Sequence, residues 1–87
     1  MLDSISTGKD VSEHTDFSNH IALDPPARWF RIVGAGSGTI VVELAEGPNG
    51  VYRTLTGLTD GEEVPLGIRA IRNAASGTTV AKVRCFI

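Results

Sequence analysis

The sequence predicts an all-β fold: a small antiparallel β-sandwich or barrel of about five or six short strands behind an extended N-terminal arm. Three observations point there. Apolar and polar residues alternate with period two from residue 28 onward, clusters of Gly, Pro, Asn and Asp recur between these runs, and no apolar stripe at helical spacing persists. The 87 residues suffice for one small domain, and the single Cys excludes an internal disulfide framework or a Cys-rich zinc module. Aromatic residues make up only 6% of the chain, so the core must be assembled from Val, Ile and Leu. A core this small makes burial against partners an expectation.

Residues 1–24 read as the arm. Ser4, Ser6, Thr7, Gly8, Asp10, Ser12, Thr15, Asp16, Ser18 and Asn19 interrupt isolated hydrophobes at Leu2, Ile5, Val11, Phe17, Ile21 and Leu23. Such a segment is either disordered or laid across something, and Phe17, Ile21 and Leu23 have little use in solvent. They are therefore candidate interface residues. Asp24-Pro25-Pro26 follows as an extended, rigid joint, because proline fixes its own φ and biases the residue before it away from helix.

Residues 25–87 read as the β domain. Arg28-Trp29-Phe30-Arg31-Ile32-Val33 places Phe30 and Ile32 on one face and Trp29, Arg31 and Val33 on the other. After Gly34-Ala35-Gly36-Ser37-Gly38, the run Thr39 to Leu44 puts Ile40, Val42 and Leu44 on a common face, and the two runs predict a hairpin. Gly47-Pro48-Asn49-Gly50 turns the chain into a third strand, Val51 to Leu55. The next run, Glu63 to Arg72, alternates Leu66, Ile68 and Ala70 with Arg69, and Pro65 assigns its start to an edge or a bulge. Asn73-Ala74-Ala75-Ser76-Gly77 turns again into Thr78 to Ile87, where Val83, Cys85 and Ile87 face opposite Lys82 and Arg84. Trp29 gives its strand large apolar groups on both faces, so it either fills the domain's own core or anchors a contact with a neighbour or the arm.

Charge is uneven along the chain. Residues 1–24 hold one Lys against five carboxylates, a net charge of −4, whereas residues 25–87 hold seven cations against five carboxylates, a net charge of +2. The two parts have the signs needed to attract each other, within one subunit or between neighbours. No Lys/Arg cluster or aromatic row indicates a nucleic-acid partner, and no apolar run approaches the ~20 residues that span a bilayer. The start of the chain lacks the basic and apolar regions of a signal peptide, which gives synthesis in the cytosol as the expectation.

Chemistry-bearing motifs are few. The Gly34 to Gly38 loop lacks the third glycine and the following helix of a dinucleotide fingerprint, and reads as a hairpin loop using positive φ. His14 and His20, six residues apart, match no standard zinc spacing, and no metal or cofactor is expected. Cys85 lies on the apolar face of its strand with no neighbouring base, and Glu62-Glu63 points two adjacent carboxylates apart, so no enzyme is expected. Trp29 and Tyr52 are the side chains that a carbohydrate-binding module would use for stacking.

Two stretches carry a family resemblance. Pro26-Ala27-Arg28 with the strand ending in Val33, the glycine loop and Thr39-Ile40-Val41-Val42-Glu43-Leu44 make up the first. The second is Gly57-Leu58-Thr59-Asp60-Gly61-Glu62-Glu63-Val64-Pro65-Leu66-Gly67-Ile68-Arg69-Ala70-Ile71-Arg72 with Ala75-Ser76-Gly77-Thr78-Thr79. Together they resemble the head-spike base proteins of tailed phages and gene transfer agents, over roughly residues 26–80. The shared motifs are turn and strand signatures; the polar arm, Trp29-Phe30 and the Lys82 to Ile87 ending depart from the family. The resemblance implies a non-enzymatic virion protein on the capsid surface, acting as a spike or fibre base or as a cement protein. Its implied partners are further copies of itself around a symmetry axis, the major capsid protein and a fibre or spike protein.

Overall fold

A computed structural model describes residues 11–87. The chain forms a β-sandwich of two four-stranded antiparallel sheets. Its strands are β1 (Val11–His14), β2 (Ile21–Ala27), β3 (Trp29–Gly34), β4 (Ile40–Leu44), β5 (Tyr52–Leu55), β6 (Glu63–Val64), β7 (Ile68–Ile71) and β8 (Lys82–Phe86). Sheet one has the order β1-β8-β3-β6, and sheet two the order β2-β7-β4-β5. A 3-10 turn, Ala74–Ser76, is capped by the Asn73 side chain, which accepts a hydrogen bond from the Ser76 amide.

The core lies between the sheets and follows the predicted alternation on three strands. Phe30 and Ile32 from β3, Ile40 and Val42 from β4, and Val83 and Cys85 from β8 are fully enclosed. Among the described residues eight strands replace the five or six expected, because the Glu63 to Arg72 run divides into β6 and β7 and the segment read as an arm supplies two more.

That segment is the main correction. Residues 11–24 contribute β1 and the first half of β2, and the boundary placed after residue 24 falls inside β2. The physical reason is that the scattered hydrophobes are core residues. Phe17 and Leu23 are buried, and Ile21 packs against the same cluster. Backbone pairing holds the segment as well, β1 against β8 and β2 against β7. Pro25 and Pro26 are accommodated because β2 is an edge strand with an irregular register between Ala22 and Ala27. The first part of the arm, residues 1–10, lies outside the described residues.

The expected hairpin is the second correction. β3 and β4 belong to different sheets, and the glycine loop between them carries the chain across the sandwich. Gly36 (φ 55°) and Gly38 (φ 80°) make this crossing possible. A Cβ on Gly36 would stand 2.3 Å from the Thr79 carbonyl oxygen, and one on Gly38 2.7 Å from that of Leu58. Ala35 N–H donates to Asp60 Oδ1 (2.7 Å), and Ala81 N–H to the Gly34 carbonyl (2.8 Å). The glycines thus permit close packing as well as the turn.

A third difference lies in β7. Ile71, rather than Ala70, joins Ile68 in the core, because the β4 register shifts by one residue between Ala70 and Ile68.

Candidate interaction face

The outer face of sheet one carries two parallel rows of side chains set by strand register. The first is apolar: Val11 pairs with Phe86, which pairs with Trp29. The Trp29 and Phe86 rings stack at 3.9 Å between centroids and 3° between planes, and both remain half-buried. The next row is charged. Glu13 pairs with Arg84, Arg84 with Arg31, and Arg31 with Glu63.

Two arginines directly opposite each other would be unfavourable alone. The outer strands answer with carboxylates. Glu63 bonds the Arg31 guanidinium, while Glu13 lies 2.8 Å from Arg84 and 3.6 Å from Lys82. The hydrogen bond from Arg84 is the main reason that the Glu13 carboxyl is held below its ordinary pKa. The acidic N-terminal segment and the basic strand β8 therefore meet within one chain. Arg31 also reaches toward Trp29, with its guanidinium carbon 6.0 Å from the ring centroid, and its Nε is buried without a partner among the described residues.

Of the four residues predicted for an interface, Trp29 alone faces outward. Phe17, Leu23 and Ile21 are directed into the chain's own core, since β2 turns residues 21, 23 and 27 to the same side. Phe86 was not singled out, although its signal was present: it shares parity with Lys82 and Arg84 and so faces outward beside Trp29.

Trp29 and Tyr52 form no common stacking platform, because β3 and β5 lie in different sheets. Tyr52 instead has the Arg72 guanidinium 4.2 Å above its ring and accepts a 2.8 Å hydrogen bond from it.

The remaining candidate chemistry is dispersed. Burial pushes the Cys85 thiol up to about 12, which keeps it protonated and unreactive. A cleft of about 170 Å³ opens between β1 and β2, lined by Ser12, His14, Leu23, Asp24, Ala27 and Cys85 among others. His14 shares a 3.0 Å hydrogen bond with Ser12 there, and burial lowers its pKa. His20 lies elsewhere, with Nδ1 accepting from the Asn73 amide (3.1 Å). Among the described residues, no three of His, Cys, Asp and Glu converge into a metal-binding cluster, and no helix is long and apolar enough to cross a membrane.

Comparison with family models, with curated proteins and with solved structures finds no match for this chain.

Proposed function

We propose that this chain is a non-enzymatic structural protein of a phage-type virion, a spike or fibre base or a cement protein on the capsid surface. It binds further copies of itself, the major capsid protein and a fibre or spike protein. The observation that carries this reading is the Trp29–Phe86 stack, a half-buried aromatic pair in line with Val11 on the outside of a sheet. Large aromatics are scarce in this sequence, and two of them stand outside the core on one face. Such a placement suits a contact whose centre is aromatic and whose rim is charged, here by Glu13, Arg84, Arg31 and Glu63. The resemblance of residues 26–80 to head-spike base proteins supplies the virion class. It extends over the crossing loop and the connections around β6 and β7.

The test pairs analytical ultracentrifugation with co-sedimentation on purified capsids of a tailed phage or gene transfer agent. Wild type is expected to oligomerise at micromolar concentration and to pellet with particles. Trp29→Ala is expected to weaken both by roughly tenfold or more while leaving the sandwich folded, as for a central aromatic in an interface. A monomer that ignores particles overturns the reading, and glycan-array binding lost in Trp29→Ala would replace it with a sugar-binding module.

A further inference from the structure

The geometry points to the free edge of β5 as a docking site for an extended acidic segment of another polypeptide, added as a ninth strand of the sandwich. This is a different surface from the Trp29 face, and the inference stands or falls independently of the virion role.

An open sheet edge is a row of unpaired backbone groups, and proteins usually blunt it with proline, irregular pairing or brevity. The edges bounded on both sides by described chain are β2, β5 and β6. β6 spans two residues, and β2 contains Pro25 and Pro26 within an irregular register. β5 has neither protection. It is regularly paired with β4 across all four residues and largely exposed, with exposed Val51 leading into it.

The direction of its backbone groups follows from β4. The carbonyls of Thr39 and Val41 accept from Thr79 (2.8 Å) and Arg72 (2.7 Å), and the Ala45 amide donates to Gly67 (3.0 Å). Odd-numbered residues of β4 therefore turn their amides and carbonyls away from β5, and Ile40 and Val42 turn theirs toward it. Their partners are Leu55 and Arg53. Tyr52 and Thr54 are left with amide and carbonyl groups pointing off the sheet, and no described group bonds to them.

The charge around this edge selects the occupant. Arg53 lies on the strand itself, and Arg72 stands over the Tyr52 ring. Neither has a carboxylate within ion-pair distance among the described residues, whereas Arg31, Arg69, Lys82 and Arg84 all do. A second copy paired edge to edge through β5 would bring its own Arg53 and Arg72 against these cations. An incoming strand carrying carboxylates on both of its faces meets them favourably, and backbone pairing with Tyr52 and Thr54 sets its register.

The probe is the capped peptide Thr-Val-Glu-Glu-Val-Thr, whose adjacent Glu residues fall on opposite faces, titrated into the full chain and followed by amide NMR shifts. Expected are shifts concentrated at Tyr52 to Leu55 and affinity about tenfold above that of the Gln-for-Glu peptide, with the advantage falling as salt rises. Thr54→Pro removes an outward amide without removing a bond to β4, and is expected to weaken binding about tenfold. Should that variant not fold, the same peptide with N-methylated backbone amides decides the matter on the wild-type chain, and is expected not to bind. Equal binding of the Gln or the N-methylated peptide overturns the proposal. So does concentration-dependent self-association that Thr54→Pro abolishes, since the edge would then belong to a second copy.

Discussion

Sheet one and sheet two each contain four strands, yet they leave different parts of themselves open. The centre of the outer face of sheet two is covered by the chain itself: Val41 and Glu43 point outward from β4 but are only 6% and 9% exposed. The segment after the 3-10 turn lies against Val41. Thr78 Oγ1 accepts from the Val41 amide (3.1 Å), and Gly77 approaches its side chain closely. Glu43 is held by Arg69 at 3.1 Å, and Arg69 also donates to the carbonyls of Leu44 and Gly47. Sheet two therefore has its β4 centre covered and its β5 edge unpaired among the described residues, while sheet one keeps Trp29 and Phe86 half-buried on its outer face. The two proposals thus assign different kinds of surface to the same small core, one recognising side chains and the other backbone.

Mutations that act on one sheet and spare the other sharpen this contrast. The largest effect is expected where the two sheets are joined. Gly36→Ala places a side chain at positive φ and drives its Cβ into the Thr79 carbonyl. A loss of about 3 kcal/mol in denaturant unfolding is expected. A smaller value would mean that the crossing loop can re-route without separating the sheets.

Thr78→Val tests the closure of sheet two alone. Thr78 is 2% exposed, and the isosteric change leaves the Val41 amide buried without its acceptor. About 2 kcal/mol of destabilisation is expected, with the Trp29 fluorescence spectrum of the folded protein unchanged. A shifted spectrum would show that the two outer faces are coupled through the core.

The smallest effect belongs to the cleft beside β1. Burial lowers the pKa of His14 below its ordinary 6.5, so the unfolded chain binds the proton more readily than the folded one. Its neutral form supports the fold above pH 6.5, and that contribution declines as pH falls through the unfolded value. Thermal unfolding should therefore show a modest drop between pH 7.5 and 5.5 that His14→Gln flattens. An unchanged slope in the variant would assign the drop to other groups.

The strands legible in the sequence were those with strict alternation and one apolar face. β3, β4 and β8 meet that condition, and Phe30, Ile32, Ile40, Val42, Val83 and Cys85 on them are fully buried; Ile68 and Ile71 of β7 are buried as well but do not follow a strict alternation. β1 could not be read this way, because Val11-Ser12-Glu13-His14 has a single hydrophobe and owes its order to pairing with β8. Phe17 and Leu23 looked available for a partner because the polar residues between them concealed the turn that brings them inward. The glycine loop illustrates a different limit: a hairpin and a crossing between sheets both join alternating runs through a short Gly-rich segment. What separates them is the close approach of Thr79 and Leu58, residues distant in sequence. For the candidate face, the outward position of Trp29 was written in the alternation. The outward side of Phe86 was legible as well, from its parity with Lys82 and Arg84, but its place beside Trp29 depended on the β3–β8 register, which composition does not encode.

The placement of β8 carries a consequence for how this protein is made. β8 is the last of the described strands, and it inserts between β1 and β3, the first and third. All the strands of sheet two have left the ribosome once residue 71 has, but sheet one has no middle until residues 82–86 follow. A chain that stops short of residue 82 therefore lacks the strand that pairs with both β1 and β3. Pairing β8 with β1 joins residues 69 to 75 positions apart, a slow step by the measure of contact order.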